Sequence, residues 1–141
     1  MNTTSQSKNK AEKLVLEFLG RVWGPTHELD AIDELMTEDY TITTGGKVIN
    51  GRANFKAWVT EFQTKLRDAS TISQDIFSNP SENLVVSRWV CSGNNNGIFG
   101  LLGNGEYVSF TGIAIWEVRG NQLSQCWVER SAFELYQQLT N

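Results

Sequence analysis

Apolar residues recur at helical spacing in the first half of the chain, and near Thr71 the rhythm changes to an alternation of apolar and polar positions. Ala11, Leu14, Val15, Phe18, Leu19 and Val22 follow the i, i+3, i+4, i+7 spacing of an amphipathic helix that Gly24-Pro25 stops. Leu29, Ile32, Leu35 and Met36 predict a shorter second helix, with Thr26 or Asp30 available as its cap. Tyr40-Thr41-Ile42-Thr43 alternates like a strand. Thr44-Gly45-Gly46 turns it back into Lys47-Val48-Ile49, because paired glycines reach the positive φ of a tight hairpin. Asn50-Gly51 opens a third helix with an apolar stripe of Phe55, Trp58, Val59, Phe62 and Leu66. Strands are predicted over 71–77, 84–93, 106–118 and 123–130, with turns at Asn79-Pro80-Ser81-Glu82-Asn83 and Arg119-Gly120-Asn121. A last helix over 132–139 begins at Ser131-Ala132-Phe133-Glu134, the spacing of a capping box.

Helices first and antiparallel strands after, without βαβ alternation, predict an α+β fold with the helices on one side of a curved sheet. Three short helices do not fill so long a sheet, which leaves room for a pocket. The 141 residues suit a single domain over 10–141, preceded by a polar tail over 1–9 expected to be disordered. The net charge of -4, without a basic run, argues against nucleic acid and anionic membrane as partners. The chain start lacks the apolar run of a secretion signal, and no segment approaches the roughly 20 apolar residues of a membrane span, so the expectation is a soluble, cytoplasmic protein. Cys91 and Cys126 fall inside predicted strands and read as buried, reduced thiols. A single histidine, His27, excludes a multi-histidine zinc site, and no metal or cofactor is expected.

Several words of the sequence carry a family resemblance: Leu29 to Leu35 in the second helix, Gly51 to Trp58 in the third, Gly93-Asn94-Asn95-Asn96-Gly97, Phe110-Thr111-Gly112-Ile113, and Trp127 with Gln138-Leu139. Together they resemble the SnoaL-like branch of the nuclear transport factor 2-like superfamily, over nearly the whole chain after the tail. The resemblance implies an α+β cone around a small-molecule cavity, a homodimer, and cofactor-independent chemistry such as aldol closure of polyketide rings. In that chemistry a carboxylate four residues after the last-strand tryptophan acts as acid and base. Here that place holds Ser131, and Thr43 and Asn95 stand where the family often has histidines.

Strand parity offers a substitute acid, since Trp127, Glu129 and Ser131 alternate onto one face. If that face looks inward, Glu129 beside Trp127 and Trp89 is a desolvated carboxyl able to take and return a proton; otherwise it pairs with an arginine or faces solvent at a dimer rim. Arg130 then projects the other way, to the outer sheet or a subunit interface. Asn95 is the candidate to polarise a ligand oxygen, against the alternative of turn chemistry. Ser131 either bonds a ligand or caps the last helix. Trp23, Tyr40, Trp89 and Thr43 are the remaining candidates for the pocket, and Trp58 reads as core. The leading expectation is a cyclase, isomerase or hydrolase acting on a small hydrophobic carbonyl compound through Glu129. The alternative is a non-catalytic ligand-binding or dimerisation module of the same fold.

Overall fold

The structure, a computed structural model, describes residues 7–141. Of the tail expected over 1–9, residues 1–6 lie outside the described ones. Asn9 belongs to the first helix: its side chain accepts from the Glu12 amide at 2.8 Å while the Glu12 carboxylate accepts from the Asn9 amide at 3.1 Å. This reciprocal cap satisfies two amides that a helix start otherwise leaves open.

The elements run α1 (Lys10–Arg21), α2 (Ala31–Leu35), β1 (Met36–Thr44), β2 (Lys47–Asn50), α3 (Arg52–Lys65), β3 (Leu66–Ser78), β4 (Leu84–Asn95), β5 (Tyr107–Arg119), β6 (Gln122–Arg130) and α4 (Ala132–Thr140). Met36 and Leu66, expected on helical stripes, instead begin strands. Each is fully buried and enters the sheet at once, Met36 opposite Leu123 and Leu66 opposite Asn95. Long-range pairing here overrides the local period, which cannot tell the last apolar residue of a helix from the first of a strand.

Six strands form one curved, unclosed sheet in the order β2-β1-β6-β5-β4-β3, antiparallel except where β6 returns beside β1 in parallel. α1 packs on β3, and α3 lies across β1 and β3. Charged side chains tie the helices to one another: Arg21 bridges Glu17, Glu28 and Glu34, and Lys56 reaches Asp30 and Asp33. Asp30 thus stands at the cap position of α2 but gives its carboxylate to Lys56 instead of a cap bond. No helix among the described residues is long and apolar enough to cross a membrane.

The inner face of β5 determines where the core stops being solid. Its buried positions read Val108, Phe110, Gly112, Ala114 and Trp116, large at the ends and small in the middle. Across the sheet Gly112 stands between Trp89 and Arg130, and Ala114 between Ser87 and Val128. Small side chains at the centre of a concave face leave space that the helices do not reach.

Candidate functional site

That space is a cavity of about 60 Å³, several times what one water needs. Its floor is fully or nearly fully buried and built from Phe18, Tyr40, Phe55, Trp116 and Cys126. Trp23, Trp58, Phe62, Thr71 and Arg130 are half-buried and form the mouth. The spacing of Phe55, Trp58 and Phe62 along one stripe of α3 joins the two ends. Phe55 and Trp58 stack at 6.2 Å between centroids, Trp58 and Phe62 lie 5.9 Å apart, and Trp23 meets Phe62 edge-on at 5.6 Å. Such edge-on and offset pairs hold rings in place beyond the area they bury.

Among the described residues Arg130 is the one formal charge that lines this cavity. Its guanidinium lies over the Trp58 ring at 5.8 Å and the Phe62 ring at 5.9 Å, a cation–π arrangement at both faces. No carboxylate among the described residues pairs with it, whereas Arg21, Arg52, Arg88 and Arg119 each have one. Burial pulls its pKa down, yet a guanidinium begins so high that it stays cationic at neutral pH. An aromatic-walled hollow therefore presents an uncompensated positive charge at its rim.

The other titratable groups in the lining are protonated and neutral. Burial pushes the Cys126 thiol up to about 12 and raises Cys91 as well. Burial also lifts the Tyr40 hydroxyl well above the ordinary phenol value, with Cys126 adding to it. Among the described residues no Asp, Glu or His lines the cavity. The arrangement can bind an anion and shelter a flat apolar body, and the described residues bring no carboxylate or imidazole base to it.

The structure brings three of the expected residues to this cavity: Trp23, Tyr40 and Trp89 all line it. It places the other four elsewhere. Glu129 is exposed on the outer face, because the buried residues of β6 are Cys126 and Val128, with Arg130 in phase with them. The parity argument joined Ser131 to the strand, but β6 ends at Arg130 and Ser131 has left the extended conformation. Glu129 therefore lies outside the cavity, and Arg130 points inward instead of to the outer sheet. Thr43 pairs with Trp127 on the outer side of β1, where Ile42 and Tyr40 face in.

Asn95 is buried, but its amide is fully engaged away from the cavity. It donates to the Leu102 carbonyl at 3.1 Å and to Asn104 Oδ1 at 3.0 Å, and accepts from the Gly97 and Ile98 amides at 3.0 and 3.1 Å. It staples the loop over 96–105, the turn role weighed above. The Ser131 hydroxyl accepts from the Thr111 amide at 3.0 Å and makes no cap bond to α4. It clamps the end of β6 to β5 and neither caps nor reaches the ligand space.

Arg130 is the cavity residue that strand parity from Trp127 puts on the wrong face, although a signal for it is present. Along β6 the series Cys126, Val128, Arg130 is apolar but for its last member, and the series Gln125, Trp127, Glu129 is polar but for Trp127. A charge in phase with an apolar face is the anomaly to follow.

The fold is shared widely. The "putative polyketide cyclase" of Acidithiobacillus ferrooxidans superimposes with a TM-score of 0.85 at 22% identity, covering 96% of this chain and 97% of that one. TsrD from Streptomyces laurentii gives 0.79 at 20% identity, over 96% and 98% of the two chains. A SnoaL-like polyketide cyclase of Agrobacterium tumefaciens gives 0.77 at 14%, over 94% and 99%. Identities this low establish the fold alone. No match is found among curated proteins. The family model for SnoaL-like polyketide cyclase, however, matches residues 13–139. That match runs from α1 into α4 and takes in every strand of the cavity wall, so the chain belongs to the SnoaL-like polyketide cyclase family.

Proposed function

We propose that the cavity holds a small hydrophobic carbonyl compound with an anionic oxygen, and that Arg130 is its counter-ion. The observation that carries this reading is the guanidinium held over both the Trp58 and Phe62 rings without a carboxylate partner among the described residues. A partly desolvated cation gains most from an anion that brings its own apolar body, since that body stacks on the aromatic walls while the charges meet. At about 60 Å³ the cavity is far below the several hundred cubic ångströms of pockets that enclose drug-sized ligands. The ligand is therefore small and flat, and the half-buried rings of Trp23, Trp58 and Phe62 turn outward to admit it.

This favours a binding role over acid–base catalysis by a protein carboxylate, because no carboxylate among the described residues lines the site. Family membership supports one catalytic reading of the same contact. A 1,3-dicarbonyl ligand that has lost its α proton to solvent would sit as an enolate against Arg130, and charge stabilisation of that kind is what ring closure needs. The test of the shared step is a titration of the protein with 2-naphthoate and with 2-naphthamide, followed by tryptophan fluorescence. The acid binds about tenfold tighter than the amide if the cation recognises charge; equal affinities dispose of the reading.

We propose further that the outer face of the sheet pairs with a second copy of the chain. Val48, Thr43, Trp127, Ile115, Val86 and Phe77 stand in register across all six strands on that side. Trp127 is 38% exposed and Phe77 58%, a contiguous apolar band of the kind that marks an association surface. Two of the charges on that face, Arg88 and Asp75, neutralise each other at 2.7 Å, and Glu129 adds a carboxylate beside Trp127. Trp127→Lys is expected to convert a dimer into a monomer in light scattering without lowering the melting temperature by more than a few degrees. A parent protein that is monomeric at micromolar concentration refutes the pairing.

A further inference from the structure

We propose that the Thr71 hydroxyl is a second donor to the anionic end of the ligand, so that the mouth of the cavity takes a carboxylate, one oxygen on Arg130 and the other on Thr71. This rests on the reading of the cavity as an anion site and narrows its ligand to a flat carboxylic acid. Thr71 lines the cavity and is half-buried, which puts it at the mouth and not in the closed floor. Arg130 comes from β6 and Thr71 from β3, with β5 and β4 between them, so the two approach the hollow from opposite sides.

The two side chains meet around Cys91. Thr71 is registered directly opposite Cys91, and its hydroxyl is the hydrogen-bond neighbour of that thiol. Arg130 reaches far enough from β6 for its charge to act on the same sulfur. Three strand spacings amount to about 14 Å, and the concave face and the length of an arginine side chain together close much of that gap. Thr71 is also well fixed. Its amide donates to the Trp23 carbonyl at 2.9 Å, and β-branching confines its side chain to few rotamers.

The hydroxyl has a proton to spare. A hydroxyl donates one hydrogen bond and accepts two, and a protonated thiol is itself a donor. Burial raises the Cys91 thiol, which therefore keeps its proton at neutral pH and turns it to the Thr71 oxygen. The Thr71 proton is then left for an acceptor in the hollow. A guanidinium alone suits any anion. A guanidinium and a hydroxyl on opposite sides of one mouth suit a carboxylate best, because its two equivalent oxygens diverge from one carbon, one toward each donor.

The experiment measures the affinities of 2-naphthoate and 2-naphthamide by calorimetry on the parent, Thr71→Val and Thr71→Ser. Valine keeps the β-branching and the backbone amide that holds Trp23, and removes only the hydroxyl. Thr71→Val weakens 2-naphthoate about tenfold, the worth of one hydrogen bond to a charged group. It weakens 2-naphthamide only about threefold, because a bond to a neutral oxygen is roughly half as strong. Thr71→Ser, which restores the hydroxyl, binds the acid nearly as the parent does. Equal losses for acid and amide in Thr71→Val, or a Thr71→Ser variant that does not recover the acid, overturn the second donor by making the side chain part of the shape of the mouth. An acid that binds Thr71→Val as tightly as the parent overturns it too and leaves the Arg130 site intact. A parent that does not distinguish the acid from the amide removes the subsite together with the reading it rests on.

Discussion

Arg130→Met lowers the affinity for 2-naphthoate about a hundredfold and raises the melting temperature of the free protein. The first effect follows from removing the only charge that the described residues bring to the lining. A charge-assisted contact is worth roughly 1.5–3 kcal/mol, and about 2.7 kcal/mol is a hundredfold in affinity. The second follows from the absence of a partner. Removing one member of a buried ion pair strands the other, but here no carboxylate is stranded, and methionine relieves the desolvation of a lone cation while keeping contact with Trp58 and Phe62. A gain of about 1 kcal/mol raises the midpoint by roughly 3 °C in a chain of this size. Arg130→Lys falls between, because an ammonium keeps the charge but loses the flat stacking of a guanidinium. Glu129→Gln, on the exposed face of the same strand, changes neither quantity. Unchanged binding in Arg130→Met, or melting several degrees below the parent, defeats the argument by showing that the guanidinium serves the fold alone.

This coupling of affinity and stability in one residue also explains how far the sequence could be read. Helices and strands were legible because their periods differ and because Gly24-Pro25, Gly45-Gly46 and Gly120-Asn121 punctuate them. Met36 and Leu66 were not, since a fully buried residue at a junction suits either element and only its strand partner decides. The face of β6 failed for a related reason. Trp127 is large and apolar and reads as core, but it belongs to the outer band that Ile115 and Phe77 continue on neighbouring strands, and that band is visible only once the register is known. Choosing the face by its one tryptophan turned Glu129 inward and Arg130 outward together, since a one-residue slip reverses every side chain of a strand. Asn95 lies on the buried side of β4 with Ser87, Trp89 and Cys91, as strand alternation requires. Its bonds to residues 97–104, however, depend on a loop conformation that no periodicity encodes.

Gly112→Ala destabilises the chain by about 3 kcal/mol and closes the cavity, without touching a polar group. Gly112 has ordinary backbone angles, so its requirement is space: a Cβ there would lie 2.2 Å from Trp89 Cζ2 and 2.5 Å from Cη2. These are atoms of a rigid, buried ring, so the indole itself has to move. Overpacking of this kind costs about 1–3 kcal/mol and at times more, or roughly 10 °C of melting temperature at the upper end for this chain length. Trp89, Gly112 and Arg130 stand side by side across β4, β5 and β6. An indole lifted from its bed over Gly112 moves into the hollow that the missing side chain creates, and the affinity for 2-naphthoate falls with Arg130 still in place. Gly20→Ala is the matched control, because the same added methyl meets nothing within 4 Å and sits in α1, where alanine is the better helix former. Pairing Gly112→Ala with Trp89→Leu tests the cause. If the clash with the indole is the whole effect, the double variant melts higher than the sum of the two single losses predicts, a coupling of roughly 1–3 kcal/mol. Additive losses would assign the role of Gly112 to the strand backbone and leave the shape of the cavity without its explanation.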